Sequence, residues 1–364
     1  MTHTEKKHRI IFIDLLRTFA VLQMVQGHTV DALLGNSFRD LDSPVFAVWL
    51  FMRGMTAPIF LFTAGSVFTY LFRLNKTSYL KNPRVLKGFK RVLLLVSLGY
   101  LLKYPTYTII DFSEVTAASW KIFIAVDVLQ LIGFGLLFIL ILAFITEKLK
   151  LNDYYFFGII GSAFFTLSIF TENINWLNYF PEPIAAYFYS KTGSLFPLFP
   201  WAGYVICGGV LGSYLANHPL VFKTTRFSYI VSSAAAVFMI IAFVLNNLIP
   251  YPVGNVHPWN EALSTITFRM GFVLLLTGVV SLISIKIENI PKIFILLGRN
   301  TLLIYVVHLM ILYGSAWNPG LFAIFGEKLT PITTVLIAAI MVTLMILMVF
   351  VLNKLKFKNK QLVT

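Results

Sequence analysis

The chain has 364 residues, 58% of them hydrophobic and only 12% charged, with a net charge of +14. A soluble domain carries about twice that charged fraction, so the composition excludes a water-soluble globular protein and calls for many apolar helices. A single cysteine, Cys207, excludes an intrachain disulfide.

Apolar runs of 18 residues or more are each long enough to cross roughly 30 Å of hydrocarbon. Read against Pro, Gly and charge punctuation, they predict spans near 10–33, 45–72, 92–110, 118–146, 154–171, 195–215, 229–249, 262–285, 294–316 and 330–352. The first run is too long for a signal-peptide core and lacks an A-x-A-like cleavage site, so it is expected to remain as a membrane helix. The expected fold is an all-α integral membrane protein, a polytopic bundle of about ten helices forming a single embedded domain over residues 1–364. The longest interruption, 172–194, is aromatic and proline-containing, and reads as a re-entrant or interfacial loop.

Ten crossings leave both termini on one side. That side holds 21 of the 29 Lys and Arg residues, including Arg73, Lys76, Lys81, Arg84, Lys87, Lys90 and Arg91 in one loop. Basic residues in short loops stay cytoplasmic, so both termini are expected in the cytoplasm. The positive charge is then a matter of topology, not of nucleic-acid binding.

The first segment, LLRTFAVLQMVQGHTVDALL (15–34), carries titratable groups through an otherwise apolar run. Arg17 and His28 are eleven residues apart, which is three helical turns plus roughly 20°. Both therefore lie on one face, about 16.5 Å apart along the axis. Asp14 is one turn below Arg17 and Asp31 about one turn above His28. Such groups face a bundle interior or a wet cavity because lipid exposure costs several kcal/mol. A buried Asp14–Arg17 ion pair and an interhelical hydrogen bond from His28 are the structural readings; a functional stripe is the other.

Further along, Arg53 falls in the outer part of the second segment, above Pro58 and Gly65, either snorkelling or facing a cavity. Asp127 in the fourth is a buried carboxyl whose expected role is pairing with an arginine. In the eighth, His257 and Glu261 lie at the outer mouth, with Arg269 about two turns deeper. The ninth carries His308, with Tyr305 one turn below it. By loop charge, His28, Arg53, His257, Arg269 and His308 share one depth, which predicts a polar chamber opening outward. Arginines suit an anionic group or a developing oxyanion, and a histidine suits proton transfer. Phosphate-cradling loops and zinc-ligand spacings are missing, so no metal is expected.

Four segments in order give the chain a family resemblance. Arg17, ten residues, then His28 resembles the first-helix signature of the acyltransferase-3 branch of the transmembrane acyltransferase superfamily. That superfamily also includes the heparan-α-glucosaminide N-acetyltransferase-like proteins. RGMTAPIFLFTAG (53–65) resembles the shared second-helix segment, and LFPLFPWAGYVICGGVLG (195–212), which contains Trp201, is similar to a middle helix. LGRNTLLIYVVHLMILYG (297–314) is similar to the Gly-Arg-x-Ser-Leu-x-x-Tyr-x-x-His segment, with Thr301 where serine is common.

The resemblance implies an acyl-CoA-dependent acyltransferase of the cell membrane. Such an enzyme takes an acyl group, usually acetyl, from cytoplasmic acyl-CoA to an extracytoplasmic acceptor, a carbohydrate or glycolipid. His28 matches the family's catalytic histidine, as general base or transient acyl carrier, and Arg17 the arginine of that motif. By shared depth, and not by the resemblance, Arg269 or Arg53 would meet the oxyanion, while Asp14, Arg53, His257, His308, Tyr305 and Trp201 are expected to line the substrates. A transporter or flippase built on the same polar stripe is the alternative. The GGVLG stretch (208–212) contains a G-x-x-x-G, which serves either a dimer or close helix approach within one chain.

Overall fold

The computed structural model describes residues 10–248, 262–287 and 289–361. The protein is all-α. In chain order its helices are α1 Ile11–Leu33, α2 Pro44–Arg73, α3 Pro83–Leu102, α4 Ala117–Ile124, α5 Val128–Leu149, α6 Asp153–Thr171 and α7 Glu182–Ala185. They continue as α8 Leu198–Asn217, α9 Thr225–Leu248, α10 Leu263–Lys286, α11 Lys292–Arg299, α12 Thr301–Leu312, α13 Leu321–Phe325 and α14 Pro331–Gln361. A minimal hairpin, β1 Gly314–Ser315 with β2 Asn318–Pro319, follows α12.

Among the described residues, seven helical stretches are long and apolar enough to cross a membrane: α2, α4 with α5, α6, α8, α9, α10 and α14. An eighth arises if α11 and α12, bent by 72° at Asn300, count as one span. Each of the ten segments expected from the sequence contains helix, although in the third, 92–110, the helix ends at Leu102. The two outside this set are α1, which carries Asp14, Arg17, Gln23, Gln26, His28 and Asp31, and α3. The latter begins nine residues before the expected span, so that Arg84, Lys87, Lys90 and Arg91 fall within it.

The helix ends follow local chemistry. Asp127 caps α5: its carboxylate accepts from the Val128 amide at 2.7 Å, and the Gln130 side chain returns a bond to the Asp127 amide. Such a capping box satisfies amides that a helix start leaves free. It gives Asp127 a role that the expected arginine partner did not include. At the other end of α1, Arg39 donates to the carbonyls of Asp31 (2.7 Å) and Leu34 (3.1 Å), which a helix C-terminus leaves without amide partners.

By internal packing the chain forms two units. The first contains residues 1–13, 61–97 and 125–289. Its seam is glycine-built. A Cβ on Gly65 of α2 would lie 1.9 Å from the Val205 carbonyl oxygen of α8. Cβ atoms on Gly208 and Gly212 of α8 would lie 2.0 and 2.3 Å from the carbonyl oxygens of Phe62 and Ser66. The G-x-x-x-G therefore serves helix contact inside the chain. Gly161 against Cys207, and Gly271 and Gly278 against α9, extend the same device. A half-buried polar knot ties the ends of α2, α5, α6 and α8: Arg73 bonds Asp153 (2.7 Å) and Thr146 (3.0 Å), and Ser213 donates to Asp153 (2.8 Å). Residues 172–194 form short helical turns around stacked rings of Trp176, Phe180 and Phe188.

The second unit contains residues 14–60, 98–124 and 290–364. Here α1 crosses α11 in backbone contact: a Cβ on Gly298 would stand 2.2 Å from the Asp14 carbonyl oxygen. Thr18 also donates its hydroxyl proton to the Phe294 carbonyl. At its far end, α1 is stitched to the approach of α14 by main-chain bonds, Gly35 to Leu329 and Leu329 to Leu33, each 2.9 Å.

Candidate active site

The second unit gathers six of the sequence-predicted residues, Asp14, Arg17, His28, Arg53, Tyr305 and His308, on or around α1. Arg17 Nη2 donates to Thr301 Oγ1 at 2.8 Å, at the first residue of α12. About three turns further along α1, the His28 ring lies 5.4 Å, centroid to centroid, from that of His308 on α12. The contacts pair ascending residues on both helices, so α1 and α12 run side by side in the same direction.

The break at Asn300 brings α12 to this position. Asn300 leaves helical geometry, and its side-chain amide donates to the Leu296 carbonyl at 2.8 Å. Thr301 then opens a new helix whose inner face presents Ile304, Tyr305, His308 and Leu312, all buried.

His308 is fully buried. Its Nδ1 lies 2.7 Å from the Ile304 carbonyl oxygen. A carbonyl only accepts, so Nδ1 holds the proton in the neutral ring and Nε2 holds the lone pair. Among the described residues, that buried Nε2 has no hydrogen-bond partner. Tyr305 sets its ring edge-on to His308 at 5.7 Å. His28 is only half-buried, and Tyr313 meets it at 6.3 Å, nearly perpendicular. Two imidazoles thus lie together, one sealed in packing and one reachable.

Arg53 forms an ion pair with the Asp31 carboxylate, which compensates its charge; Arg39, already on the end carbonyls of α1, also pairs with Glu327 at 3.6 Å. Asp14 sits at the Gly298 crossing. Arg269 and Trp201 belong to the first unit, where both are buried and the guanidinium lies 5.8 Å above the indole ring. His257 and Glu261 fall outside the described residues. The members expected in one chamber are therefore His28, Arg53 and His308 in one unit, and Arg269 in the other. Sequence reasoning missed Tyr313 and Thr301 as partners; nothing local marks which helix will face α1. Among the described residues, no three His, Cys, Asp or Glu side chains gather as a metal centre would need.

The family model for heparan-alpha-glucosaminide N-acetyltransferase, catalytic, matches residues 9–251, two thirds of the chain. The chain belongs to the heparan-alpha-glucosaminide N-acetyltransferase family. It is accordingly an acetyltransferase-type enzyme, and its apolar helices make it a multi-pass membrane protein. Among curated proteins, none matches the chain. The family match contains Arg17, His28, Arg53 and Trp201, whereas Thr301, His308 and Tyr313 lie beyond it.

Proposed function

We propose that the protein carries an acetyl group from cytoplasmic acetyl-CoA to a sugar amine or hydroxyl on the far side of the cell membrane. In this reading α1 and α3 also cross, both termini are cytoplasmic, and His28 performs the proton transfer. The observation that carries it is the half-buried His28 ring against the buried His308, on the face that Arg17 shares, in a chain of this family.

Arg17, anchored on Thr301 about three turns from His28, is the residue proposed to orient the donor along the face that leads to that ring. The acceptor N–H or O–H gives its proton to His28 as the nucleophile attacks the acetyl carbonyl. Collapse of the tetrahedral adduct breaks the C–S bond, and the leaving thiolate takes the proton from the imidazolium. His308 packs against the His28 ring and brings to the reaction cycle its own Nε2, unpaired among the described residues. Family membership supports such chemistry over bare solute passage.

The test is reconstitution in proteoliposomes, with labelled acetyl-CoA outside and a glucosaminide inside. His28→Ala is expected to slow transfer by about 10²–10⁴-fold, the usual effect of losing a positioned acid–base group. A folded His28→Ala protein working at near wild-type rate would overturn the assignment. Trapping an acetylated His28 after donor alone would instead establish a two-step route.

A further inference from the structure

We propose that Trp317, with Tyr104 beneath it, is a stacking platform for a sugar ring of the acceptor, linked to His28 through Tyr313 at the foot of the same hairpin. The inference rests on the acetyltransferase reading and adds where its carbohydrate is held.

The platform lies within the second unit. The ring of Trp317 stacks on that of Tyr104 at 5.8 Å and 7° between planes, and Tyr104 is wedged edge-on by Phe112 and Phe123. The indole Nε1–H donates to the Tyr107 carbonyl at 3.1 Å. With one face covered and its N–H occupied, Trp317 is still 52% exposed, so the open area is the opposite face and the outer ring edge. An interfacial tryptophan that anchors a protein to lipid keeps its N–H for the headgroup region. Here that N–H is bonded within the chain.

The support is rigid. Trp317 sits at the tip of the β1–β2 hairpin, its amide on Ser315 Oγ at 3.2 Å, while the Asn318 side chain donates to the Met310 carbonyl at 3.0 Å. Gly314 holds φ +79°, and a Cβ there would stand 2.5 Å from the Asn318 carbonyl oxygen. A fixed aromatic face loses little entropy on binding. The pyranose C–H face is apolar and its hydroxyl rim polar. The chain around Tyr107 matches that pattern, with Thr106, Thr108, Ser113 and the exposed carboxylate of Asp111. Trp317 is four residues from Tyr313, whose ring touches His28, so at most about 14 Å of chain separates them.

The experiment uses the full chain in proteoliposomes and in detergent, with methyl α-D-glucosaminide as probe. Trp317→Ala is expected to raise KM for the glucosaminide five- to tenfold, with KM for acetyl-CoA unchanged, and Trp317→Tyr to restore most of the loss. Fluorescence supplies a readout independent of turnover: the probe should change tryptophan emission in wild type and in His28→Ala, but not in Trp317→Phe. Sugar-dependent emission in a protein that acetylates nothing would leave the platform standing and remove the acetyltransferase reading. An unchanged KM and titration in Trp317→Ala, or a loss of thermal stability or reconstitution alone, would make Trp317 a membrane anchor and overturn the proposal.

Discussion

The imidazoles of His28 and His308 lie 5.4 Å apart, and the one that solvent cannot reach keeps its Nε2 lone pair without a partner among the described residues. A buried acceptor left unbonded costs about 1–3 kcal/mol, so its retention beside a reachable histidine points to use in the reaction cycle. We expect His308→Leu, close in volume and free of polar atoms, to keep or raise the thermal midpoint. Acetyl transfer should fall at least tenfold. Parallel melting curves and initial rates decide it; an unaltered rate would reduce His308 to packing.

The Arg17–Thr301 hydrogen bond is testable by nearly isosteric replacement. Thr301→Val removes the acceptor from a charged donor and should destabilise by about 1.5–3 kcal/mol. Thr301→Ser keeps the hydroxyl and should stay within about 0.5 kcal/mol of wild type. Denaturation in detergent micelles distinguishes them.

Arg53 and Asp31 are predicted to matter as a pair. The side chains are 21% and 20% exposed, so breaking the bridge by Arg53→Met or Asp31→Leu should cost about 1–3 kcal/mol, below the range for sealed pairs. The double replacement should recover part of that loss. A double-mutant cycle measures the coupling. Should Arg53→Met instead keep full stability and lose only turnover, the guanidinium acts on substrate.

The glycine seam makes a sharper contrast. Gly208→Ala or Gly65→Ala drives a methyl to within 2.0 Å of a backbone oxygen on the facing helix, and we expect loss of ~3 kcal/mol or more, or no folded protein. Gly158→Ala meets nothing within 4 Å and, in the interior of α6, should stabilise by about 0.5–1 kcal/mol. Yield and melting temperature of the two classes should move in opposite directions.

Helix positions were legible because apolar length and charge punctuation are written locally. Periodicity likewise put Arg17 and His28 on one face of α1 without reference to any other residue. Partners are a different matter. Thr301 contacts a residue 284 positions away, and no local pattern announces that pairing. The segment 294–316 reads as one continuous span, yet it bends by 72° at Asn300, where the backbone leaves helical geometry (φ −104°, ψ 23°) and the side-chain amide adds a second bond to the Leu296 carbonyl. Asp127 reads as a membrane carboxylate until α5 is seen to start at the next residue. Arg73 reads as topology, and its place in a knot with Asp153 and Ser213 depends on four helices ending together.

The stitch between Leu33, Gly35 and Leu329 has a consequence for where the working unit of this chain ends. The family match ends at residue 251, but the helix bearing His28 is fastened by main-chain bonds to a stretch nearly eighty positions later. A fragment cut at the end of that match would keep the His28 imidazole while losing its neighbouring ring, the anchor of Arg17 and the terminal clasp of α1. Recombinant pieces designed from likeness alone should therefore be inert, and co-expression with the missing C-terminal portion is the route by which they would regain activity.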